Sequence, residues 1–174
     1  MRMRTPTLRS AALLLILASP AVAETLEVKV VGIVDGDTID VLDSSRKQHR
    51  IRFDGIDAPE RGQPFGNRAK TALGDFVFGK TVTVETKGLD KYDRTVGRVF
   101  IDGADVGLLM LEAGMAWQYT KYDQSKKYAD GEQSARNARR GLWNEKNAIP
   151  PWEWRKMPKA QRDIHRRAVK SETE

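Results

Sequence analysis

No cysteine occurs in the 174 residues, and histidine occurs only twice. The first absence excludes a disulfide and a lipid-attached cysteine, so burial, with whatever cation the fold holds, must supply stability outside a cell. The second leaves His49 in a strand pattern and His165 in a weakly patterned tail. Both are expected at the surface, and they cannot build a two-histidine zinc site or a histidine general base. A Gly-x-Ser-x-Gly elbow and a phosphate-cradling P-loop are missing too. The one apolar run, Ala11 to Ala18, is too short to cross a ~30 Å hydrocarbon core as a helix. There is no internal repeat.

What is present begins with a leader. Arg2, Arg4 and Arg9 give a basic start, the apolar run follows, and Ala21-Val22-Ala23 reads as a small-residue cleavage site. The mature chain is expected to begin at Glu24 and to be secreted or periplasmic; an uncleaved anchor is the alternative that the short run opposes. Losing those three arginines takes the formal charge from +6 to +3. That mild excess suits a polyanionic ligand but is common among plain domains. About 150 residues then remain, a single domain by the usual size relation.

Strand patterns crowd the first half. Leu26, Val28 and Val30 alternate with Glu27 and Lys29; Ile39 and Val41 alternate with Thr38, Asp40 and Leu42; Ile51 and Phe53 alternate with Arg50, Arg52 and Asp54. Asp43-Ser44-Ser45-Arg46 joins the second and third as a hairpin. Because strand side chains alternate between faces, Arg52 must point away from the core that takes Ile51 and Phe53. A helix is predicted within Pro64 to Phe78, then strands Thr81 to Thr86 and Thr95 to Ile101. Further helices are predicted over Asp105 to Ala113 and over Ser125 to Arg140, the last with Ala129, Ala135 and Ala138 as a thin apolar stripe. This order is α+β, and five short strands with a helix between the third and fourth fit an OB-type barrel with three helices. In residues 150–174 two prolines oppose helix, so 150–155 reads as extended chain packing its tryptophans on the body. The last fifteen or so residues read as a frayed helix or disordered chain.

The chemistry lies in an ordered set: Asp35-Gly36-Asp37-Thr38, then Arg52, then Asp57-Ala58-Pro59-Glu60, then Asp90-Lys91-Tyr92-Asp93-Arg94. Carboxylates are hard oxygen ligands for a metal ion, and a guanidinium presents a planar fork to two phosphate oxygens. Taken singly, D-G-D and D-x-P are turn sequences, and either arginine could be an ordinary surface residue. Asp35 and Asp54 could orient water or merely finish turns.

The whole string, from about Glu24 to Trp143, resembles the thermonuclease family of calcium-dependent, staphylococcal-type nucleases. The resemblance implies calcium ligation by Asp37, Asp57 and the main-chain carbonyl of Ala58, with Arg52, Glu60 and Arg94 on the catalytic positions. It places Lys91 and Tyr92 on a terminal phosphate and Tyr119 in the base pocket, and it implies the OB-type fold. For Trp117, core packing is favoured over stacking on a base. Asp93 departs from the pattern, standing where glycine is usual, beside Arg94. The function implied is an exported, sugar-nonspecific nuclease acting on DNA and RNA, a monomer, cleaving the 5′ P–O bond and leaving 3′-phosphate ends. The rival is a non-catalytic OB module that binds nucleic acid or protein, against which the retained Asp37, Arg52, Asp57, Glu60 and Arg94 argue.

Overall fold

The computed structural model describes residues 25–173, and the leader and its cleavage site lie outside them. Five strands close a barrel: β1 (Thr25–Ile33), β2 (Thr38–Leu42), β3 (Gln48–Phe53), β5 (Thr81–Leu89) and β6 (Thr95–Ile101). A two-residue strand β4 (Ile56–Asp57) falls between the third and fourth of these. The order is β3-β2-β1-β5-β6, antiparallel until β3 meets β6 in parallel and closes the circle, with Arg52 opposite Val96 and Phe53 opposite Gly97. Alternation decides what faces inward. Val28, Val30, Ile39, Val41, Ile51, Phe53, Val82, Val84 and Val99 are buried, while Glu27 and Lys29 are exposed. The ladder shifts register between Val30 and Gly32 and between Thr86 and Gly88, irregularities of the bulge type that bend a strand.

Helix α1 (Gly66–Val77) buries Ala69, Leu73 and Val77, one stripe at four-residue spacing. A short strand β7 (Ala104–Asp105) leads into α2 (Val106–Glu112), whose first turn is capped by Asp105 Oδ1 accepting from the Leu108 amide at 3.2 Å. Strand β8 (Trp117–Gln118) pairs with β4, setting Asp57 opposite Trp117. Helix α3 (Lys126–Asn137) is capped by Ser125. Its buried face is Tyr128, Gly131 and Ala135, whereas Ala129 and Ala138 are exposed. The alanine stripe expected from sequence was misplaced because a tyrosine, its phenol donating to Asp105 Oδ1 at 2.9 Å, turns the helix to a different face.

The C-terminal segment differs most from expectation. Pro151–Trp154 is a helical turn, α4, and Lys159–Thr173 is a helix, α5. The proline pair does not oppose α4, because Pro150 is its N-cap and Pro151 its first residue, where the missing N–H is an unused donor anyway. His165 is accordingly no loose surface residue. It is half-buried, its ring meeting that of Trp154 edge-on and its Nε2 lying 3.3 Å from Glu145 Oε1. His49 is half-buried as well, with Nε2 2.8 Å from Asp43 Oδ2 across the β2–β3 hairpin.

Candidate active site

The loop between β1 and β2 carries Asp35 and Asp37, and β4 carries Asp57. Gly36 allows the two segments to meet: a Cβ there would come within 2.7 Å of both Ala58 Cβ and Ala69 Cβ. The close approach lets Asp37 Oδ2 accept from the Ala58 amide at 2.7 Å, while Asp35 Oδ1 closes the turn on the Asp37 amide at 3.1 Å. Asp35 is thus a turn residue, and Asp54 belongs elsewhere, paired with Lys87 at 2.6 Å.

Arg52 is aimed by its own neighbourhood. Nη1 donates to the carbonyls of Phe53 at 2.6 Å and Ile56 at 2.9 Å, leaving Nη2 against two carboxylates, 3.0 Å from Asp57 Oδ1 and 3.3 Å from Asp37 Oδ2. A single nitrogen therefore ties together two acids 20 positions apart in sequence, both nearly excluded from solvent. Burial raises the Asp57 carboxyl above its ordinary value, with the Asp37 charge adding to this and the guanidinium groups of Arg155 and Arg52 opposing it. Burial and then the charge of Asp37 push Asp35 up to about 7. Both shifts come first from burial.

Glu60 reaches the same place from the loop leading to α1. Its amide donates to Gln63 Oε1 at 2.9 Å, and its carboxylate meets Arg155 Nη1. Arg155 also engages Asp57, through Nη2 to Oδ2 at 2.7 Å and Nη1 to Oδ1 at 3.2 Å. Sequence reasoning missed this residue. Its signal was an arginine directly after two tryptophans, at the head of a basic tail, in a segment that the prolines made look extended.

Asp37, Asp57, Ala58, Arg52 and Glu60 are thus brought together. Arg94, Lys91 and Tyr92 form a neighbouring group at the start of β6: the Arg94 guanidinium lies 5.4 Å and the Lys91 ammonium 4.9 Å from the Tyr92 ring centre, and that ring is largely exposed. The carboxylate holding Arg94 is Asp90, at 2.8 Å from Nε and 2.7 Å from Nη2. Asp93 adopts φ 58°, the left-handed conformation for which glycine is usual. Together with Tyr92, Arg94 and Arg50 it lines a groove of about 470 Å³. Trp117 is buried, edge-on to Trp143 with ring centres 4.3 Å apart, in keeping with core packing. Tyr119 follows β8 with its ring already stacked on Trp152, centres 5.3 Å apart and planes within 7°.

The model of the staphylococcal nuclease homologue family matches residues 50–145, more than half the chain, a range that holds Arg52, Asp57, Glu60 and Arg94. The chain belongs to the staphylococcal nuclease family. A protein named micrococcal nuclease from Shigella flexneri is 40% identical over 161 residues, covering 86% of this chain and 91% of that one. An uncharacterized endonuclease of Haemophilus influenzae is 38% identical over 131 residues, covering 75% and 74%. Protein ParB of Escherichia coli is 42% identical over 172 residues, covering 90% and 94%. Membership implies nucleic-acid substrates and makes the cluster around Arg52 the place to seek phosphodiester chemistry. For a family member the tie between Arg155 and Asp57 is the feature that needs explaining, since it spends a second guanidinium on an acid already held by the first.

Proposed function

We propose that this nuclease is a calcium-dependent, sugar-nonspecific endonuclease hydrolysing phosphodiester bonds in DNA and RNA and leaving 3′-phosphate ends. The observation that carries the reading is the convergence of Asp37 and Asp57 on one guanidinium nitrogen of Arg52. The donor set fits a hard cation: two buried carboxylates supply oxygen donors, and burial raises the Asp57 carboxyl. Among the described residues no three His, Asp or Glu side chains are grouped so that they alone could hold a metal ion. Two carboxylates, the Ala58 carbonyl and several waters would then make up the six to eight oxygens that calcium takes.

When bound, calcium would supply positive charge to the phosphoryl oxygens. Asp37 and Asp57 would hold it, and Arg52, its Nη1 kept in direction by the Phe53 and Ile56 carbonyls, would turn Nη2 from the two acids to the same phosphate. Glu60, on the rim, is assigned to align or deprotonate the attacking water. Arg94 would meet the opposite oxygens or the leaving group, Lys91 and Tyr92 a terminal phosphate, and Tyr119 a base. Export to the periplasm or the medium rests on the leader pattern. Among the described residues no helix is long and apolar enough to cross a membrane. A monomer is the expected state.

The test is product analysis. Plasmid DNA and a single-stranded RNA should both be degraded with calcium and spared with a chelator, and the fragments should accept a 5′ label from a kinase without phosphatase treatment. Degradation that persists in chelator would overturn the cation requirement, and fragments carrying 5′-phosphates would overturn the bond assignment.

A further inference from the structure

Beyond the site itself, the C-terminal segment lies across both halves of it. Arg155 follows α4, and α4 is anchored by buried Pro151 and Trp154. Just before it, the Ile149 carbonyl accepts from Gln63 Nε2 at 2.7 Å, and the same Gln63 side chain accepts from the Glu60 amide. The strap is therefore fastened to the loop that presents Glu60. From this base Arg155 occupies both oxygens of Asp57 and reaches Glu60, while Trp152 covers one face of Tyr119.

Resting on the reading of Asp37 and Asp57 as cation ligands, we infer that residues 150–155 form an intramolecular strap that competes with the divalent cation for Asp57 and with a nucleobase for Tyr119. A carboxylate bridged at 2.7 and 3.2 Å by one guanidinium, and held at 3.0 Å by a second, has its charge already spent. A dication coordinated at ~2.3–2.6 Å would sit beside Arg155 and repel it. Arg155 leaves Asp57 when the cation arrives, and by linkage the strap weakens cation binding by the same factor as the cation weakens the strap. The Arg155 side chain is 42% exposed, so it can swing into solvent without unpacking the core. The Trp152 stack makes the coupling extend to substrate: a base can take that face of Tyr119 only when the tryptophan withdraws.

Calorimetric titration of calcium into the whole protein, without nucleic acid, reads the competition directly. Arg155→Ala should tighten cation binding about tenfold or more. Arg155→Lys should fall between it and the wild type, because charge is kept and the fork is lost. Trp152→Ala leaves the charges at Asp57 untouched but loosens the strap, and should tighten binding severalfold. Thermal melts followed by circular dichroism report whether each variant is folded; if Arg155→Ala is not, Trp152→Ala decides alone. Equal affinity in Arg155→Ala would show that Arg155 does not compete, weaker affinity that it supports the cation site, and tightening there with none in Trp152→Ala that the segment does not act as a unit; each overturns the inference. If neither wild type nor variants bind calcium, it is the cation site itself that fails.

Discussion

At the scale of single residues the proposed chemistry rests on Arg52 and the acids it gathers. Its Nη1 is spent on two carbonyls and its Nη2 on two carboxylates, a geometry only a planar fork can satisfy. Arg52→Lys keeps the charge and loses the fork, so turnover on DNA should fall by ~10³–10⁵, the range attributed to a transition-state arginine; a loss under tenfold would remove it from the reacting phosphate. Asp37→Asn keeps the size and most of the hydrogen bonding of a side chain that closes on the Ala58 amide. Calcium binding and activity should both vanish from that variant while its melting temperature stays within a few degrees, and retained cation binding would contradict the ligand role. Asp93 presents a subtler case. Arg94 is held by Asp90, so on the proposed reading Asp93 would act on an incoming phosphate through the groove they share. Asp93→Gly should lower KM, chiefly at low ionic strength where screening is weak; a KM unchanged at both high and low salt would make Asp93 a neutral turn variant.

At the scale of elements, Arg98 on β6 decides how the helices sit on the barrel. It lies 3.9 Å from Asp54 after β3 and 3.6 Å from Asp105 at the α2 cap, and it pairs with Asp123 ahead of α3. Arg98→Ala would strand three buried carboxylates with only partial help from Lys87 and Lys127. It should cost about 3–5 kcal/mol in chemical denaturation, and a cost below about 1 kcal/mol would show the network to be dispensable. Asp123 connects this to pH. Burial works to raise its carboxyl, yet the Ser125 hydroxyl and amide, the Arg98 charge and Gln118 outweigh burial and hold it below its ordinary value. The stability it contributes is therefore complete above the unfolded value of about 3.9 and is lost as pH falls through the lower folded value. Asp123→Asn should flatten the acid limb of a plot of denaturation midpoint against pH; an unchanged limb would place acid sensitivity elsewhere. The barrel strands and α1 were legible because alternation and four-residue spacing report burial directly. The two-residue strands β4, β7 and β8 were not, since no period can be read in two residues. The face of α3 and the existence of α4 were hidden for other reasons: Tyr128 with Ala135 outweighs Ala129 and Ala138, and prolines that break a helix interior are harmless at its start.

At the scale of the whole molecule, the site is assembled from segments far apart in the chain, and legibility follows from that. Asp37, Arg52, Asp57 and Glu60 lie within one barrel segment whose order matches a family, so their grouping could be read in sequence. Arg155, 98 positions beyond Asp57, could not, because only folding brings the strap back over the first acid site. The small positive excess of the chain implies few neutralised phosphates, and DNA affinity should fall with salt along a shallow line; salt-independent affinity would indicate a partner other than nucleic acid. The measurement closest to the central claim is the rate of single-stranded DNA cleavage against free calcium concentration, run side by side on the wild-type protein and Asp57→Asn. A saturable rise from near zero in the wild type, absent from the variant at every concentration, is the expected result. Wild-type cleavage indifferent to calcium, or a variant that follows the wild-type curve, would contradict the assignment of this site.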